Sequence, residues 1–263
     1  MINIDKNLFL QRKHNFIAIT SGAGSVGKTW LATTLAHALN QQHRSVLLFD
    51  AAGGLLNLNF QLGLDDHNTL GEVLDGHLTI NQALTPLNKH KFHILSAPSG
   101  SNLLEDVPIG QLHLLREDLM ALAQNYQYVI IDLPATEKII KHLMPHEINL
   151  LLICTDDLSN LVSTYNFLQS NDIRDNYAEL QIIVNYANSY EAGLRTYNSL
   201  RRACEQYVKK TPPLMGVIRR DTRIRDAIRN GALLLNRYPN AEASEDVVNI
   251  AGKILEQEKH HGL

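Results

Sequence analysis

Phe16-Ile17-Ala18-Ile19-Thr20-Ser21-Gly22-Ala23-Gly24-Ser25-Val26-Gly27-Lys28-Thr29 is the stretch on which the reading of this chain turns. Phe16 to Thr20 is a short apolar run of the kind that forms a buried strand. Gly22 to Thr29 follows with the spacing GxxxxGKT, and from Trp30 to Asn40 the apolar residues recur with helical period. Strand, glycine loop and helix in that order predict a phosphate-binding loop. Its glycines let backbone N–H groups close around phosphate oxygens, the helix N-terminus adds partial positive charge, and Lys28 supplies a point charge to the β and γ phosphates. The Thr29 hydroxyl is placed to hold Mg²⁺. The expected ligand is a nucleoside triphosphate with Mg²⁺, ATP before others, or its product ADP. The expected contacts are Gly22, Gly24, Ser25, Val26, Gly27, Lys28, Thr29 and Trp30.

Working outward, further short apolar runs lie at Ser45 to Asp50, Phe92 to Leu95, Tyr128 to Asp132, Leu150 to Cys154, Leu180 to Asn185 and Leu214 to Val217. Helical patterns, such as Gln111 to Asn125 and Leu161 to Ser170, separate them. Strands alternating with helices predict an α/β fold with a mostly parallel, doubly wound sheet and right-handed crossovers, the architecture of P-loop NTPases. Ligands of such sheets sit at the carboxyl ends of the strands, where Ser21, Asp50, Asp132 and Asn185 fall. Asp132 ends the apolar run Tyr128-Val129-Ile130-Ile131 and is a candidate to hold the metal, usually through water; a strand-end turn cap is the alternative. Asp50, after Val46-Leu47-Leu48-Phe49, is placed the same way and has the same alternative.

The 263 residues suit one large domain. The polar residues 1–14 read as a flexible N-terminal segment, and 15–258 as the nucleotide-binding domain. A net charge of -3 gives no general attraction to nucleic acid or anionic lipid, so any such contact must be local. Two cysteines and no signal peptide point to a reducing cytoplasm rather than a disulfide framework. No run approaches the roughly 18 apolar residues of a spanning helix, so membrane contact is expected to be peripheral at most. The histidines show no ligand spacing with cysteine or acid, and no metal beyond Mg²⁺ is assigned.

The pattern resembles the MinD/ParA group of deviant Walker ATPases and, within it, the FlhG (FleN) regulators of flagellar number and placement. The resemblance runs from Phe16 to about Leu255. It includes Leu47 to Leu64, similar to the family's "D-A-D-x-G-x-x-N-x-D-x-x-L-G-L" switch region, followed by Leu70-Gly71-Glu72-Val73-Leu74. Val184-Asn185 resembles the adenine-reading "V-N", which implies a base contact for Asn185; on residues alone a turn role is equally open. Gly216-Val217-Ile218-Arg219-Arg220-Asp221 with Arg225-Asp226-Ala227-Ile228 resembles the stretch "G-x-[IV]-P-x-D…[VI]-x-x-A".

The departures shape the functional expectation. The family's early loop lysine, which reaches a partner's phosphates in an ATP-sandwiched dimer, is here Ala23, and its water-orienting second aspartate is Ala52. Trp30 stands where a second hydroxyl residue assists an α-phosphate contact. Nucleotide binding is retained in this pattern, whereas no residue is assigned as catalytic and neither hydrolysis nor a sandwich homodimer is expected. Asp5 to Gln11 matches the FlhG activator segment only at Asp5 and Leu10. The helix around Val247 to Leu255 carries acids on its flanks and reads as core-packing rather than membrane-targeting. Arg219, Arg220, Arg223, Arg225 and Arg229 form a basic cluster diluted by Asp221 and Asp226, read as a solvated helix face rather than a nucleic-acid surface. The resemblance implies a cytoplasmic nucleotide-binding regulator, polar or membrane-peripheral at most. It would act through protein contacts in flagellar assembly, flagellar regulation or another polar machinery. The competing readings are an active partitioning ATPase cycling on DNA or membrane, and a metabolic P-loop enzyme.

Overall fold

The computed structural model describes residues 16–54, 57–88, 90–134, 136–144, 148–169, 177–207 and 211–260. Its strands are β1 (Phe16–Ser21), β2 (Val46–Asp50), β3 (Thr85–Asn88), β4 (Phe92–Leu95), β5 (Tyr128–Asp132), β6 (Ile148–Cys154), β7 (Tyr177–Ala187) and β8 (Leu214–Arg219). They form one sheet in the order β3-β4-β2-β5-β1-β6-β7-β8. The pairings are parallel except that of β3 with β4. The expected mostly parallel sheet is present. β3 escaped the sequence reading because Pro86 interrupts it. Proline lacks the donor that an inner strand needs, and here it lies on the sheet edge, where the loss is harmless.

The helices are α1 (Lys28–Gln41), α2 (Leu58–Leu62), α3 (Leu70–Leu74), α4 (Leu103–Asp106), α5 (Ile109–Ala123), α6 (Glu137–Leu143), α7 (Leu158–Gln169), α8 (Tyr190–Tyr207), α9 (Arg223–Arg229), α10 (Leu234–Arg237) and α11 (Glu242–His260). Alternate strand residues supply opposite faces of the sheet. Ile17 and Ile19, Val46 and Leu48, and Tyr128 and Ile130 join the core under α1 and α11. Phe16 and Ala18, Leu47 and Phe49, and Val129 and Ile131 join the core under α5 and α6. This explains why the strands read as continuous apolar runs: both faces are covered. Val247, Ile250, Ala251 and Ile254 of α11 belong to the first core, as the core-packing expectation required. The N-terminal segment with Asp5 to Gln11 lies outside the described residues.

Helix α1 is buried from Trp30 to Asn40, so it carries polar groups into the interior. His37 stacks on Phe92 with ring centroids 6.2 Å apart, and its Nδ1 has no hydrogen-bond partner. Burial holds its pKa down from 6.5 to about 4. Because the folded value lies below the unfolded one, the unfolded chain takes up this proton first. His37 therefore contributes full stability above 6.5 and progressively less as pH falls towards 4, at up to about 1.4 kcal/mol per pH unit. His37→Phe is expected to remove that component of the acid slope. Urea unfolding at a series of pH values checks it, and identical slopes in the two proteins would contradict it.

Candidate functional site

The phosphate loop leaves the carboxyl end of β1, a strand flanked by β5 and β6 near the centre of the sheet. Gly27, at φ +91°, precedes the first turn of α1. Ser25 also takes a left-handed conformation, at φ +60°, where a side chain is unfavourable. Gly24 and Ser25 are exposed at the crest. Gly22 has no room for a side chain: a Cβ there would stand 2.3 Å from the Ser163 carbonyl oxygen of α7. The pressure of α7 on the loop was not visible in the sequence, because α7 joins the chain far downstream.

Lys28 Nζ donates to Ser21 Oγ at 3.1 Å, and Ser21 Oγ donates in turn to the Ala23 carbonyl. Burial lowers the Lys28 pKa, and the charge of Asp132 opposes that shift. The ammonium is thus partly desolvated next to the loop, where a phosphate would give it a counter-charge.

Two carboxylates meet at neighbouring strand ends, since Asp50 and Asp132 are register partners. Thr29 Oγ1 donates to Asp132 Oδ2 at 2.5 Å, while the buried Asp132 Oδ1 has no partner. Burial and then the neighbouring Asp50 push the Asp132 carboxyl up; the Thr29 hydrogen bond and Lys28 pull it down. An unpaired carboxylate oxygen next to a threonine hydroxyl is hard-oxygen chemistry, and it fits Mg²⁺. Asp50 is engaged differently. Its Oδ1 accepts from the Ala52 and Gly53 N–H groups at 3.1 and 2.8 Å, and its Oδ2 accepts from Leu58 N–H at 3.3 Å. Burial raises its pKa against these three bonds. Asp132 Oδ1 is left without a partner, whereas both oxygens of Asp50 accept from the backbone that follows β2, as a turn cap does.

That loop contains Ala52, which offers no side-chain polar group. Gly53 at φ +60° lies so close to the loop after β4 that a Cβ would stand 2.2 Å from Ser101 O. Gly54 N–H donates to Ser101 O at 2.9 Å, and Gly100 N–H returns a bond to Gly54 O at 3.0 Å. Asn57 adds a bond from its amide to Ala97 O at 3.1 Å. Asp66 accepts from Asn59 Nδ2 at 2.7 Å and from Ser99 N–H at 2.9 Å. Ser99, Ser101 and Asp66 carry no sequence signal because the Gly54–Ser101 and Asp66–Ser99 bonds join residues that only the fold brings together.

On the other side of the loop, Asn185 is buried and donates from Nδ2 to Val26 O at 2.8 Å. It sits in an irregularity of β7, where pairing with β8 shifts register between Val184 and Ala187 and Tyr186 adopts φ +58°. Such bulges re-aim side chains. Here the bulge brings the Asn185 amide and the Tyr186 phenol against Gly27. Trp30 is buried in the core under α1 and α11, together with Val26. Of the basic cluster, Arg219 is tied to Asp246, Glu242 and Glu245, and Arg223 to Asp221.

These features define a P-loop nucleotide-binding protein: a glycine loop at the end of a central parallel strand, a lysine and threonine opening the next helix, and an aspartate at the adjacent strand end. The chain belongs to the CobQ/CobB/MinD/ParA nucleotide-binding domain family, whose model matches residues 17–235. It is 25% identical over 240 residues to the antiactivator FleN of Pseudomonas aeruginosa, covering 90% of this chain and 85% of that protein. It is 24% identical over 251 residues to the flagellum site-determining protein YlxH of Helicobacter pylori, covering 94% and 84%. Its fold matches that of the septum site-determining protein MinD of Pyrococcus horikoshii, solved with Mg-ADP, at a TM-score of 0.74 and 23% identity over 95% of this chain and 98% of that one.

Proposed function

We propose that this protein is a regulator that binds Mg·ATP or Mg·ADP, turns over little or no ATP, and acts through contacts with other proteins of a flagellar or comparable polar apparatus. The observation that supports this reading is the meeting of the glycine loop, Lys28, Thr29 and Asp132 at neighbouring strand ends, combined with alanine at positions 23 and 52. Gly22 to Thr29 would hold the phosphates and Asn185 the base side. Thr29 and Asp132 would hold Mg²⁺, which supplies charge neutralisation at the β and γ phosphates. Asp50 would keep the adjoining loop in place. Similarity to FleN and YlxH along most of the chain supports the flagellar setting. Protein contacts are supported by the likeness to a MinC:MinD cell division complex from Aquifex aeolicus. Among the described residues no helix is long and apolar enough to cross a membrane.

Position 23 also bears on assembly. Two facing triphosphates repel unless cations neutralise them, and no lysine is present at Ala23 to cross between subunits. The protein is expected to remain largely monomeric with ATP. Light scattering on the size-fractionated protein with and without Mg·ATP measures this, and a doubling of mass caused by ATP would contradict it. An active partitioning ATPase would instead show ATP-dependent pelleting with liposomes or salt-sensitive DNA binding.

A further inference from the structure

Two histidines outside the nucleotide site face each other across neighbouring helices. His113 lies on α5 and His142 on α6, and His113 Nε2 stands 3.2 Å from His142 Nδ1. The ring centroids are 5.3 Å apart and the ring planes are tilted by 49°. His113 is exposed and His142 partly so. The backbones that carry them are held by the core beneath, to which Leu112, Leu115, Ile139, Ile140 and Leu143 belong. The pair therefore rests on a fixed base, with its facing nitrogens within reach of solutes.

In the free protein the two nitrogens can share one proton, but a hydrogen bond at the surface competes with water and contributes little. A metal ion is the other partner that two imidazole lone pairs can share. Imidazole nitrogens bind Zn²⁺ at about 2.0–2.1 Å, so two of them on one tetrahedral ion stand about 3.3 to 3.4 Å apart. The 3.2 Å separation found here needs almost no movement to reach that value. Slight burial, and then His113, Lys141, Lys138 and Arg116, hold the His142 pKa below its ordinary value, so the ring keeps a lone pair for a ligand at neutral pH. The same cations oppose a metal ion. Lys138 Nζ, however, is drawn away to the Glu105 and Val107 carbonyls at 2.7 and 2.8 Å, and Arg116 pairs with Glu117 at 3.6 Å. Among the described residues no third histidine, cysteine or acid completes a ligand group with the pair. The geometry points to His113 and His142 as the two protein ligands of a surface site for a borderline transition ion such as Zn²⁺, which clips α5 to α6 and leaves its other positions to water. Nitrogen donors separate this site in kind from the oxygen donors Thr29 and Asp132, which suit Mg²⁺.

The test is calorimetric titration of zinc chloride alone into the untagged full-length protein, in a non-chelating buffer with excess Mg²⁺. The chain has 12 histidines, so the variants decide rather than total uptake. His113→Gln and His142→Gln keep polar side chains at solvent-facing positions and are expected to leave the melting temperature without zinc unchanged. Loss of an outer-shell partner already costs about 10- to 100-fold in metal affinity, so each variant, which loses a ligand, is expected to weaken binding at least about tenfold. Micromolar zinc is expected to raise the melting temperature of the wild type and of neither variant. In ring-nitrogen NMR spectra of the wild type, His113 Nε2 and His142 Nδ1 are the nitrogens expected to shift. Equal zinc affinity in wild type and variants would overturn the inference, as would zinc-induced shifts confined to other histidines. Binding by the wild type only at millimolar zinc would reduce the pair to a surface hydrogen bond.

Discussion

Lys28→Ala is expected to weaken Mg·ATP and Mg·ADP binding at least about tenfold, the largest loss from any single side chain of the loop. Lys28 Nζ sits 3.1 Å from Ser21 Oγ, and Asp132 is the charge that most favours its protonated state. Burial makes that charge costly until a polyphosphate arrives, so the ligand relieves the ammonium while the ammonium holds the ligand. Without it, the phosphates would be held by backbone dipoles and Mg²⁺ alone. The rest of the loop should survive the change, because its path is set by Gly22 against Ser163 and by Gly27 against Asn185 rather than by the lysine. Calorimetric titration of both proteins is the check, and equal affinity would remove the assignment of this loop as a phosphate site.

The second expectation is ATP hydrolysis near background in the isolated protein. A P-loop supplies positioning and charge stabilisation for the leaving phosphates, but in-line attack by water also needs a group that orients the nucleophile. Losing such a group commonly costs a few kcal/mol of barrier, or about two to three orders of magnitude in rate. At the place where the resemblance implies that group stands Ala52, whose N–H donates to Asp50 Oδ1 at 3.1 Å. Asp50 is a poor substitute, since both of its oxygens accept bonds from the backbone of the same loop. If the protein is a switch, its state would change by nucleotide exchange or by a partner that supplies the missing group.

Much of this was legible in the sequence where the physics is local. The strand-loop-helix order around Gly22 to Thr29, the apolar runs covered on both faces, and the aspartate closing β5 are each set by neighbours in the chain. The misses share the opposite cause. Pro86 hid β3 because an edge position tolerates what an inner strand does not. The Ser163 contact that excludes a side chain from Gly22, and the Ser101 contact that does so at Gly53, depend on elements brought together only by the fold. Asp50 and Asp132 look equivalent in the sequence because both end apolar strands; the three N–H groups arranged around Asp50, which differ from the surroundings of Asp132, are a product of the loop's folded path. The facing of His113 and His142 carries no sequence signal, because the two lie 29 residues apart on different helices.

Nucleotide held without turnover is tested most directly by steady-state phosphate release at saturating Mg·ATP, with binding measured on the same preparation. The expected result is saturable binding together with a release rate indistinguishable from that of Lys28→Ala. Sustained release in the wild type that Lys28→Ala abolishes would contradict it, and would show that another residue orients the attacking water in place of the side chain that Ala52 lacks.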